Sequence, residues 1–204
     1  MIPAAVARPS KEPSSVLAPA TVLFLVMVAH AILETARDAL FLTRLGPDRL
    51  GYAYVAIAGL ALLAFVAVRR WARIREARTL LLVFLLFAVA GTTVLAFALT
   101  RSGWAAFVLY VWTGLVITLV IPAFWLVIER DIGIGEAKRV FAAVAAGGAL
   151  GALVGSMIAS VLGHFVDPEH LVTAGAIGFM LAAISVQALP PGCKRAESAK
   201  PAPI

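Results

Sequence analysis

Six long apolar runs, separated by short polar breaks, occupy almost the whole chain. They cover about 19–41, 50–68, 79–100, 104–128, 138–163 and 170–189. Each has roughly the ~20 residues that a helix needs to cross a hydrocarbon core about 30 Å thick. The breaks carry residues that stop helices or start turns: Gly46-Pro47-Asp48, the arginine-rich stretch 69–78, Arg101-Ser102-Gly103, the segment 131–135, and Asp167-Pro168. The pattern predicts an all-α integral membrane protein with six transmembrane helices. Because the connections are short, consecutive helices are expected to lie antiparallel and side by side. Residues 1–18 and 190–204, rich in Pro, Ser, Ala and Lys, are expected to be disordered tails flanking a membrane domain over 19–189.

Composition agrees with the pattern. Apolar residues make up 62% of the chain and charged residues 14%, with a mean hydropathy of +1.00, against about a quarter charged in a soluble domain. The net charge of +6 and pI near 10.1 do not point to nucleic acid, because the basic residues are not interleaved with polar or aromatic readers. They lie between the apolar runs. Of the 17 Lys and Arg residues, only Arg44, Arg49 and Arg101 fall in the first, third and fifth connections, and Arg37 lies within the first run. All the others fall in the two tails and the second and fourth connections. The positive-inside rule therefore places both termini in the cytoplasm and the chain, as a multi-pass protein, in the inner membrane. Ala29-His30-Ala31 imitates a signal-peptidase site, but the apolar sequence continues past it and cleavage would leave an odd number of helices.

The first run contains the unusual chemistry. In "AHAILETARDALFLTRL" (29–45), His30, Glu34, Arg37 and Asp38 stand at i, i+4, i+7 and i+8, which is one stripe of a helix. From Pro19, a good first-turn residue, to Leu33 the helix is only about 22 Å long at 1.5 Å per residue. A full span must continue to about Leu40 or Phe41 and take the charges with it. Lipid cannot face such a stripe, since each centrally placed charge costs about 2.5–3.5 kcal/mol. The stripe is expected to face an internal aqueous path. The alternative is a shorter helix with its charges at the membrane surface.

Two further stretches stand out. Gly147-x3-Gly151-x3-Gly155, with Gly148 beside it, forms a small-residue face on which another helix can pack closely. The fourth run ends in Pro122, Phe124 and Trp125. After it comes a balanced cluster in which Glu129, Asp131 and Glu136 oppose Arg130, Lys138 and Arg139, as in a cytoplasmic gate held by ion pairs. Trp71, Trp104 and Trp125 fall where interfacial anchors belong, and Trp112 and Tyr110 fall deeper, in expected core positions. Neither metal-ligand nor cofactor spacing occurs; Cys193 is the single cysteine. No nucleophile or oxyanion arrangement accompanies the acids and bases, so no enzyme is expected.

Phe124-Trp125 followed by Glu136-Ala137-Lys138-Arg139-Val140-Phe141 resembles a signature of the ATP/ADP translocases of plastids and intracellular bacteria. Ala36-Arg37-Asp38-Ala39-Leu40 resembles that family's first-helix Lys-Asp element, with arginine in place of lysine. The resemblance covers about residues 20–190 and only half of a twelve-helix transporter. It departs at Gly147-Gly148-Ala149-Leu150-Gly151, where the family's fifth helix is more polar. It implies half of a major-facilitator bundle and a small anionic solute, a nucleotide among them. Arg37 would then touch phosphate oxygens, and Glu34, Asp38 and His30 would tune it. Half a transporter implies a homodimer or a separately encoded second half, since facilitator halves are parallel repeats around a central site. The competing expectation is a non-transporting six-helix anchor, sensor or interaction module.

Overall fold

A computed structural model describes residues 14–71, 76–131 and 137–189. Those residues form six long helices: α1 (Ser14–Arg44), α2 (Leu50–Trp71), α3 (Ala77–Leu99), α4 (Ala105–Asp131), α5 (Ala137–Leu162) and α6 (Pro168–Ser185). Short 3-10 turns precede α2 (Pro47–Arg49) and follow α6 (Val186–Ala188). No strand occurs among the described residues. All six helices are long and apolar enough to cross a membrane, so the chain is a multi-pass membrane protein. The expected tails lie largely outside the described residues, although α1 begins at Ser14 and so takes in the end of the first. Pro19 consequently lies inside the helix rather than in its first turn. Gly46, with φ of +77°, turns the chain out of α1 in a backbone conformation that other residues rarely adopt.

The helices stand in two rows. In the front row α5 packs on α1, α1 on α4, and α4 on α2; behind them α6 packs on α1 and on α3, and α3 packs on α4. Consecutive helices are thus mostly not neighbours along their length, contrary to expectation. Of the five consecutive pairs only α3 and α4 share an extended face. A short connection fixes proximity at one end only. Trp71 stacks on Phe84 where α2 leads to α3, and Trp125 meets Phe141 where α4 leads to α5. Helix α1 is walled on three sides, by α4, α5 and α6.

Glycine sets how closely those walls stand. A β-carbon at Gly151 would lie 2.3 Å from the backbone carbonyl oxygen of Phe24, and one at Gly155 2.6 Å from that of Val28. Gly147 meets Ala20 in the same way. Contact positions rise together in fours, so α1 and α5 run parallel with their backbones almost touching. Helix α6 crosses the same helix in the opposite direction, with Gly178 against Ala29 and Gly175 against Leu33. On α4, Trp112 fills the space over Gly91 and donates its indole N–H to Thr92 Oγ1 at 3.1 Å.

Two polar ties fix the register of α1, α3 and α6. At one end of the bundle Arg44 donates to the carbonyl oxygen of Leu99 at 2.8 Å and to the Glu169 carboxylate. At the other end Arg78 donates to the carbonyl oxygen of Gln187 at 2.9 Å. The 23 residues of α3 make about 34 Å of helix, enough for one span, and Arg44 lies beside its C-terminal end.

Two outcomes follow from this packing. Replacing Gly151 by Ala forces α5 away from α1 and lowers stability by about 1–3 kcal/mol, whereas Ala at Gly59, where a β-carbon meets nothing within 4 Å, costs no more than about 1 kcal/mol either way. Thermal unfolding of the purified protein in detergent compares them. Arg44→Ala removes charge-assisted bonds worth about 1.5–3 kcal/mol each, against less than about 0.5 kcal/mol for the exposed Arg101→Ala, as read by denaturant titration.

Candidate functional site

Counting back along α1 from Arg44 at 1.5 Å per residue, Asp38 lies about 9 Å from it, Glu34 about 15 Å and His30 about 21 Å. Helix α1 runs unbroken from Ser14 to Arg44, so its charges do not mark the end of a short helix.

Arg37 is the centre of the cluster. Its side chain is only 12% exposed. It donates from Nη2 to Glu34 Oε1 at 2.8 Å and from Nε to Asp38 Oδ1 at 3.2 Å. The face of the guanidinium lies over the Tyr110 ring, 4.4 Å from its centroid, a cation–π contact. Tyr110 comes from α4. It packs on Phe41 with ring centroids 4.8 Å apart and donates its hydroxyl to that of Tyr54, on α2, at 3.2 Å. Three elements of the front row therefore hold the arginine, through a carboxylate pair on its own helix and an aromatic wall from the next two.

The carboxylates are more open. The Glu34 side chain is 45% exposed and that of Asp38 51%. With α4, α5 and α6 covering the other sides of α1, the open side is the front. Deeper down, the His30 ring is nine-tenths buried, with Nε2 3.8 Å from Glu34 Oε2. Its Nδ1 is buried without a hydrogen-bond partner among the described residues, an uncommon condition for a buried polar atom.

Of the residues singled out in the sequence, His30, Glu34, Arg37 and Asp38 come together as one group. Gly147, Gly148, Gly151 and Gly155 all face α1. At the proposed gate Glu129, Lys138 and Arg139 are exposed, while the side chains of Arg130 and Asp131, and Glu136 entirely, lie outside the described residues. No group of metal-ligating side chains occurs among the described residues. Sequence reasoning missed Tyr110 and Tyr54 as partners of the stripe; a tyrosine in an apolar run was the available signal, because its hydroxyl needs a partner. It also missed the pairing of Arg44 with Glu169, 125 residues apart.

Compared with models of protein families, with curated proteins and with solved structures, the chain gives no match.

Water access to the cluster is directly measurable. In a Cys193→Ser background, cysteines at 34 and 38 are expected to react with a membrane-impermeant thiol reagent. Cysteines at Leu33 and Ala36, both fully buried, are not. Labelling followed by mass spectrometry reads the pattern, and equal protection of all four sites would mean that no aqueous path reaches the stripe.

Proposed function

We propose that the chain is a membrane transport domain of facilitator type that moves a charged solute by alternating access. It works in the inner membrane with both termini cytoplasmic. One observation carries this reading: two carboxylates about half exposed on the open front of α1, a helix long and apolar enough to cross a membrane, where lipid would otherwise be their neighbour. An uncovered carboxylate there is costly, and a water-filled path between two six-helix units removes the cost.

The front row supports a second unit. On either side of the polar stripe stand α2 and α5, whose spans are only 12% and 22% buried. Large apolar side chains such as Val55, Leu62, Leu150 and Leu153 are exposed there. A second copy, or a separately encoded second half, would seal on these flanks and leave the stripe lining a central cavity, as in a parallel-repeat transporter. The resemblance to ATP/ADP translocases adds a small anionic solute, with a nucleotide as the specific case. Such an anion reaches Arg37 only by displacing Glu34 or Asp38. Glu129, Lys138 and Arg139, with Arg130, Asp131 and Glu136, would form the cytoplasmic gate.

Native mass spectrometry from lipid nanodiscs is expected to show a dimer, or a complex with a second six-helix chain; a strict monomer overturns the two-unit assembly. Uptake of labelled ATP into proteoliposomes tests the anionic form, and uptake unchanged by Arg37→Ala removes the role given to Arg37.

A further inference from the structure

Resting on the anionic transport reading, we infer that His30 and Glu34 together form a proton-binding site, loaded when the solute takes Arg37, so that one proton travels with each solute molecule. The charge balance asks for it. Arg37 is one positive group against the carboxylates of Glu34 and Asp38, so the cluster is already negative before an anion arrives. An anion that displaces Glu34 adds to that negative charge, in a partly dry setting where charges interact several-fold more strongly than in water. A proton taken up beside the released carboxylate offsets the addition.

The geometry supplies a place for this proton. Glu34 stands between two partners and turns a different oxygen to each. Its Oε1 accepts from Arg37 Nη2 at 2.8 Å, and its Oε2 lies 3.8 Å from His30 Nε2. The first is a hydrogen bond and the second is too long to be one, so in this state the carboxylate belongs to the arginine. Once released, Oε2 and Nε2 can close on each other with the proton between them. The ring is free to turn. A histidine is ordinarily oriented by the hydrogen bond of its other nitrogen, and Nδ1 of His30 has no partner among the described residues. The half-open Glu34 gives the proton its way in from water, and the nine-tenths buried ring holds it. In the step itself Arg37 turns its Nη2–H from Glu34 to a solute oxygen, and one proton passes from water to the pair; both changes reverse on release. The helices packed on α1 bring no rival charge. Residues 140–162 of α5 and 171–185 of α6 contain no ionisable side chain, and residues 105–128 of α4 contain only Tyr110, which lies on Arg37. From α1 itself the pair is faced by Arg37, with Asp38 beyond it.

The chain has three histidines, His30, His164 and His170. With His164→Gln and His170→Gln, NMR of the full-length protein carrying nitrogen-labelled histidine therefore reports His30 alone. Arg37→Gln reproduces the released state. His30 is then expected to take its proton at a pH higher by about one unit or more, a tenfold gain in proton affinity, and adding Glu34→Gln removes most of that gain. Loss of the guanidinium's field by itself would give the same gain with or without Glu34. A gain that survives Glu34→Gln undiminished therefore overturns the inference, and so does no gain at all. Arg37→Lys keeps the charge and loses the planar fork; it is expected to give a smaller gain that also depends on Glu34, and it decides the matter should Arg37→Gln fail to fold. If cysteines at 34 and 38 react with aqueous reagent and the His30 titration does not move, the water path stands and the proton site falls. If both cysteines are protected, it is the transport reading that falls.

Discussion

A guanidinium and two carboxylates on a helix long and apolar enough to cross a membrane impose the constraint from which the rest of this fold follows. A charge near the membrane centre costs about 2.5–3.5 kcal/mol, and pairing reduces that cost only where hydrogen bonds and neighbours are well placed. Helix α1, which carries all three groups, is accordingly half buried, and in the front row only its neighbour α4 is more enclosed. Helix α6 covers it behind, α5 and α4 cover it on either side, and Tyr110 closes over Arg37. The one side left open is the side to which the carboxylates are turned.

Close packing around α1 cannot be driven by apolar burial alone, since lipid tails are as apolar as leucine. What lipid cannot match is the fit of one backbone against another. Glycines supply that fit along α5 and α6, where added β-carbons would overlap α1 at Phe24, Val28 and Ala29. The polar ties add direction. Arg44 binds the ends of α3 and α6 to α1 at one boundary, and Arg78 binds α3 to the end of α6 at the other. Helices α1, α3 and α6 thereby form a braced core, while α2 touches mainly α4 and presents most of its surface outward.

Periodicity and length made the six spans legible, because apolar residues must cover the whole circumference of a helix that meets lipid. The first span was legible only in part: counted from Pro19 the helix had to run past Leu40, and α1 does reach Arg44, but it begins at Ser14, from where length alone would not have required the extension. The glycine face of α5 was legible for the same local reason, as spacing by four defines a face. Partner choice was not. Nothing in the order of the runs shows that α1 packs on α5 rather than on α2, because a connection constrains one end of a pair and leaves the faces free. Arg44 read as a boundary charge until Glu169 was placed beside it, and Tyr110 read as core until Arg37 was found on its ring. Both contacts join residues far apart in the chain, so neither has a local signature.

The front row has an internal logic that a single unit does not exhaust. Its flanks are apolar and exposed on α2 and α5, and its middle is charged and half open on α1. A uniform lipid neighbour satisfies the flanks and not the middle; bulk water satisfies the middle and not the flanks. A second six-helix unit, as proposed, satisfies both, because apolar flanks seal against each other while the polar middle stays wet between them. In such an assembly the braced core of α1, α3 and α6 would move as a body.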